Sequence, residues 1–244
     1  SNLKFNHAIH LDAGKVENGT SGEALVCASC HSLREDREHF EPITMDKNCR
    51  SCHSLSFDMF EPDLELPHGD QRAAIVAMEA HFIREFTDPA LRAQRAGSKL
   101  RRIPGKREAP ASCEGSGLEC GRAEALKEAQ YQFAETGCIT CHEVTETGLS
   151  DISDRWFIQP VRLTGDWYPV ARFDHSSHLS LSWDSEGEVC EACHKARVSE
   201  VSADILMPDK PLCLACHSSE PVALSEGTET DAELSFTRGY ASGV

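Results

Sequence analysis

Apolar residues recur at helical spacing over only one long stretch of this chain. In DQRAAIVAMEAHFIREF, starting near Asp70, the residues Ile75, Met78, Phe82 and Phe86 fall on a single stripe, as on a helix with one buried face. A second segment, GRAEALKEAQYQFAET over 121–136, also reads as a helix and runs directly into Cys138. Elsewhere the period breaks. Residues 32–48 and 54–68 read as loops, with Pro42, Pro62 and Pro67 as breakers. Trp156, Phe157, Trp167 and Tyr168 lie around Pro160 and Pro169 in a stretch expected to be extended. Two short segments match each other, FNHAIHL over 5–11 and FDHSSHL over 173–179. Each carries two histidines three apart, which share one face of a helical turn in slightly diverging directions.

This pattern is thin for 244 residues, a length that allows one or two domains. Aromatic residues make up 7% of the chain and mean hydropathy is −0.40. The polypeptide alone cannot build a large core, and without a further apolar component such a composition reads as disordered. The net charge of −16 excludes nucleic acid as a partner, since phosphate binding needs a basic face. It suits solubility, metal cations or a basic partner protein. Arg92, Arg95, Lys99, Arg101, Arg102, Lys106 and Arg107 form one basic stretch, read either as a solvated helix end or as counter-ions for buried carboxylates and a docking patch. No apolar run approaches the roughly 20 residues of a membrane helix, and no signal-peptide pattern opens the chain, which reads as a mature form.

The cysteines change the picture. Cys-x-x-Cys-His occurs five times, at Cys27–Cys30–His31, Cys49–Cys52–His53, Cys138–Cys141–His142, Cys190–Cys193–His194 and Cys213–Cys216–His217. This is the attachment sequence for c-type haem: both thiols add to the porphyrin and the adjacent histidine becomes the proximal iron ligand. A zinc ribbon also uses paired cysteines, but zinc has no need of a histidine after every pair. Here one follows in all five. Five haems c supply the missing apolar component. The expected architecture is mainly irregular with short α-helices, the haems forming the core. The two remaining cysteines, Cys113 and Cys120, sit in the Gly/Ser-rich SCEGSGLECG. Because this haem attachment takes place outside the cytoplasmic membrane, a Cys113–Cys120 disulfide is the natural expectation, with two free thiols as the alternative, and the protein is expected to be periplasmic or extracellular.

The order of features repeats. Each histidine pair, His7/His10 and His175/His178, is followed by one Cys-x-x-Cys-His and then a second. The second is introduced by Met45-Asp46-Lys47-Asn48 in one copy and by Met207-Pro208-Asp209-Lys210 in the other. The chain thus reads as two repeated dihaem units around a helical insert. The expected divisions are a dihaem module at 1–69, the insert at 70–136, a trihaem module at 137–218 and an acidic tail at 219–244. That tail is expected to be held against its own protomer or a neighbouring subunit.

FxHxxH followed by paired Cys-x-x-Cys-His resembles the class III-type multihaem cytochromes c, over residues 5–68 and 173–217 and through Cys138–His142. The resemblance implies bis-histidine haems stacked in chains, low potentials and electron transfer as the task. It implies that His7 serves the His31 haem and His175 the His194 haem. It also raises self-association, since some relatives polymerise into conducting filaments with a histidine of one subunit on a haem of the next. Five irons need five further ligands, and seven histidines lie outside the motifs. The expected set is His7, His10, His68, His175 and His178, with His81 in reserve and His39, in a charged segment, as a solvated residue. Met45, Met59, Met78 and Met207 are expected to pack rather than ligate. With every iron six-coordinate the protein is expected not to be an enzyme, and its partners are redox proteins. The alternatives are a diffusing shuttle and, from another class, a multihaem reductase with one open iron.

Overall fold

The computed structural model describes residues 2–17, 21–97, 113–162, 173–179 and 189–218. Most of the basic stretch, Trp167 and Tyr168, and the acidic tail lie outside these residues. In chain order the helices are α1 (His7–His10), α2 (Cys27–Cys30), α3 (Gln71–Thr87), α4 (Pro89–Gly97), α5 (Gly117–Gln130) and α6 (Cys138–Cys141). Strands β1 (Val144–Glu146) and β2 (Trp156–Ile158) follow, then α7 (His175–Leu179) and α8 (Lys210–His217). The described chain is therefore partly helical with little sheet.

It divides into two compact units. One comprises residues 1–4 and 49–163, the other 5–48 and 164–244. These units cut across the sequence-based divisions. The 70–136 insert packs with the segments on either side of it, because the apolar stripe of α3 is covered by residues from both.

In the first unit the stripe forms as the periodicity predicts: Ile75, Met78, Phe82 and Phe86 are all buried. Asp70 caps α3, its carboxylate accepting from the Ala73 amide at 3.0 Å. Ser116 and Glu119 form a reciprocal capping box on α5. The Cys113–Cys120 disulfide is present, closing a loop across that cap. Helices α3 and α5 run antiparallel in near backbone contact. A Cβ on Gly117 would lie 2.5 Å from the Phe86 carbonyl oxygen, and one on Gly121 would lie 2.5 Å from the Ile83 Cα. Only glycine permits that approach. Ala125, Ala129 and Phe133 complete the core from the α5 side.

Beyond α5 the backbone passes through a π-helical turn, Tyr131–Glu135, and reaches Cys138 through Gly137. A short antiparallel hairpin follows, pairing Val144 with Ile158. Trp156, read as a haem-packing residue, instead fills the core at 5.4 Å from the Phe133 ring. The Gln71 side chain joins hairpin to helix, donating to the Trp156 carbonyl at 2.6 Å and accepting from the Ile158 amide at 3.1 Å.

The second unit is built differently. Among its described residues no apolar side chain is buried; Ser199 is its one buried residue. Ile9, Val26, Phe40, Phe173, Leu179, Val198, Val201 and Ile205 are exposed. Its described elements are α1, α2, α7, α8, two 3₁₀ turns and most of a π-helical turn, Met45–Cys49. One main-chain hydrogen bond, Ala8 to Ser199, and side-chain contacts such as Asn48 to the Cys30 carbonyl and Arg197 to the Leu11 carbonyl tie them together.

Candidate functional site

Each Cys-x-x-Cys-His folds as a tight turn. The histidine amide donates back to the carbonyl of the first cysteine at 2.9 Å in Cys27–His31, Cys49–His53 and Cys190–His194, and at 2.8 Å in Cys138–His142. The fifth turn is the end of α8, where Asp209 precedes the helix and Pro211 stands in its first turn. All ten motif cysteines are free of disulfides. Burial pushes the Cys138 thiol up to about 11 and raises Cys141 and Cys193. These are neutral sulfurs, unlike the depressed thiolates of nucleophilic sites. Among the described residues no three-ligand cluster gathers around any of these cysteines.

The motif at Cys138–His142 is held from three sides. Lys4 donates its amide to the Cys141 carbonyl at 2.8 Å and its ammonium to the Ile139 carbonyl at 2.9 Å. The β1–β2 hairpin follows His142 directly. Gly137 enters the turn beneath Gln132, whose Oε1 would lie 2.1 Å from any Cβ there.

The two histidine pairs adopt the same local geometry. In the first, Asn6 caps α1 by accepting from the Ile9 amide at 2.8 Å, and His10 Nδ1 donates to the Asn6 carbonyl at 2.7 Å. Phe5 stacks on His10 at 4.4 Å and meets His7 edge-on at 4.8 Å. In the second, Asp174 accepts from the Ser176 amide at 2.9 Å, and His178 Nδ1 donates to the Asp174 carbonyl at 2.9 Å. Phe173 stacks on His178 at 4.3 Å and meets His175 edge-on at 4.7 Å. A histidine whose Nδ1 donates to a carbonyl keeps its Nε2 lone pair for a metal.

Histidines from outside the motifs meet histidines within them. In the first unit His68 faces His142, with ring centroids 5.9 Å apart. In the second, His178 faces His217 at 6.1 Å. Metal–imidazole bonds of about 2.0–2.1 Å, with rings of about 1.1 Å radius, put two imidazoles on one ion at ~6 Å between centroids. Both pairs have that separation. The nearby His31 disfavours the charged form of His7, and the nearby His194 disfavours that of His175. Burial is the larger cause in lowering His7, His31, His142 and His175, and neighbouring histidines act in the same direction. Neutral imidazole is the ligating form. The Nδ1 atoms of His7, His142 and His175 are buried without a hydrogen bond, and such nitrogens are rarely left so.

The two other histidines are engaged. His81 is buried between Phe57 and Phe82, and its Nε2 is 2.6 Å from Asp58 Oδ2. His39 is exposed and pairs with Asp36 at 3.0 Å, as its charged segment suggests. Met78 is fully buried in the first unit's core. His81, Glu61 and Glu85 bring three ligand atoms together, but Arg84 stands among them. Its Nη2 lies 3.5 Å from His81 Nδ1 and 3.6 Å from a carboxylate oxygen of each glutamate, where a cation would sit. Sequence reading missed Asp58, although a single acid inside the apolar run LSFDMF is the signal of a buried partner. It also missed Lys4, Gln71 and Phe40, which carry no motif.

No protein-family model, curated protein or solved structure matches this chain. Among the described residues no helix is long and apolar enough to cross a membrane.

Proposed function

We propose that the protein transfers electrons through five covalently attached c-type haems, each held between two histidines. The observation that carries this reading is the facing of motif and non-motif imidazoles at about 6 Å, in His68/His142 and His178/His217. It is supported by neutral thiols in tight turns, by imidazoles whose protonation is disfavoured and by a unit whose described residues bury no apolar side chain. When bound, the haem supplies reversible one-electron chemistry with iron.

The chain's residues then have definite tasks. Each cysteine pair would attach one haem, and the histidine that follows it, fixed by its own turn, would be one iron ligand. His7, His68, His175 and His178 would supply second ligands. The carbonyls of Asn6 and Asp174 orient His10 and His178 through their Nδ1 atoms. Two strong nitrogen ligands without methionine favour a low potential. With both axial positions held by protein, no substrate reaches the metal, so the reading is a carrier rather than an enzyme. Periplasmic or extracellular residence and basic or redox-active partners belong to this proposal. Self-association into a haem wire needs ligands to spare, and burial of His81 against Asp58 removes one of the two. A diffusing carrier is therefore the favoured form.

Potentiometric titration of the isolated protein, followed in the visible spectrum, tests the function. The expected result is five one-electron steps at low potential, with low-spin spectra in both states. A high-spin species in the oxidised protein that binds small ligands would favour a reductase instead.

A further inference from the structure

The second unit contains a reciprocal interlock between the two repeats. After His31 the chain forms a hairpin, with Leu33 bridged to Phe40, the Arg34 amide donating to the His39 carbonyl at 2.8 Å and the Glu41 amide to the Ser32 carbonyl at 2.8 Å. Its tip is set by Asp36, which accepts from the Glu38 and His39 amides, and by Arg37 at φ 65°. This hairpin belongs to the first repeat but touches the second. The Phe40 ring meets His175 edge-on at 4.8 Å, and it also meets His31 edge-on at 6.1 Å. Arg37 acts on Asp174, and the Glu38 main chain acts on His175.

The reverse arrangement holds the first histidine pair. After His194 the second repeat's loop presents the Ser199 carbonyl to the Ala8 amide at 2.9 Å, and Arg197 donates to the Leu11 carbonyl at 2.9 Å. Each histidine pair is thus seated by the loop that follows the other repeat's motif. His194 also lies close enough to act on His31.

Resting on the five-haem reading, we propose that Phe40 is a positioning residue shared by two redox centres. It fixes a ligand of the His31 centre and a ligand of the His194 centre with one ring, and makes this pair the electron link between the repeats. In the exchange one centre loses one electron as the other gains it, and no bond is made or broken. No motif marks Phe40, and neither histidine pair alone would place the His31 and His194 centres next to each other.

The test compares the wild type with Phe40→Leu and Phe40→Tyr, as fully haem-loaded proteins, by NMR of the haem resonances during stepwise reduction. The expected result in Phe40→Leu is a joint shift of the His31 and His194 centres, slower electron exchange between them, and three other centres unchanged. Phe40→Tyr, which keeps the ring, should restore wild-type behaviour. Nuclear Overhauser contacts from the Phe40 ring of the wild type to both centres are expected and do not depend on any variant folding. Contacts to one centre only, or a shift confined to one centre, would overturn the inference. Fewer than five haems, or high-spin centres in the wild type, would instead overturn the reading on which it rests.

Discussion

The assignment depends on which of two nitrogens each imidazole offers. His178 donates Nδ1 to its own repeat's Asp174 carbonyl and lies against His217, so Nε2 is the nitrogen it would offer an iron. Replacing it with methionine keeps an axial ligand but changes its character, and methionine raises haem potential. His178→Met should therefore move one of five reductive steps upward and leave four in place, as read by potentiometric titration. If all five stay fixed, His178 is not a ligand. His81 makes the opposite case, since it is buried with Asp58 at 2.6 Å. Breaking a buried pair by removing one partner costs about 3–5 kcal/mol. His81→Ala should lower stability by that order in chemical denaturation while leaving the haem spectrum unchanged, and a changed spectrum would reinstate His81 as a ligand. At this scale the sequence was most legible where chemistry dictates spacing. The CxxCH turns and the paired histidines could be read directly, because their residue types recur at fixed intervals, which the proposed thioether attachment and axial ligation would require. Asp58, Lys4 and Phe40 could not, because their roles come from neighbours remote in sequence.

Among the elements, the α3–α5 pair was also legible, because Ile75, Met78, Phe82 and Phe86 follow the helical period and α5 opens with a capping box. What the periodicity does not reveal is how near the helices come. Gly117 and Gly121, one helical turn apart, let the backbones touch, and a Cβ at Gly121 would overlap the Ile83 main chain. Overpacking a close contact costs about 1–3 kcal/mol. Gly121→Ala should lower the denaturation midpoint of the first unit accordingly, and a neutral result would mean that the helices separate more easily than their contact implies. The aromatic segment after Pro160 and the basic stretch lie largely outside the described residues. Trp156 packs into the protein core because β2 is tied to α3 through Gln71. A residue 85 positions away makes that tie, and no local pattern signals it.

Across the molecule, the two units differ in what can hold them together. The first has a protein core of its own, with Phe82 and Phe133 nearly inaccessible and a disulfide beside it. In the second, the described residues bury no apolar side chain, although it carries three of the five motifs. Composition anticipated this shortage, while the division of the chain at 48/49 and 163/164 depends on long-range packing that composition does not report. A chain whose ten motif cysteines are replaced by serine should keep slow hydrogen exchange in α3 and α5 and lose it in α1, α7 and α8. Protection throughout would mean that the second unit folds without haem. The central claim is the number and ligation of the haems. The intact mass of the natively isolated protein, taken with its oxidised visible and electron paramagnetic resonance spectra, tests that most directly. The account predicts five covalent haems on the polypeptide, all low-spin with two histidines. A bare polypeptide, a zinc-bearing one, or a high-spin centre among the five would contradict it.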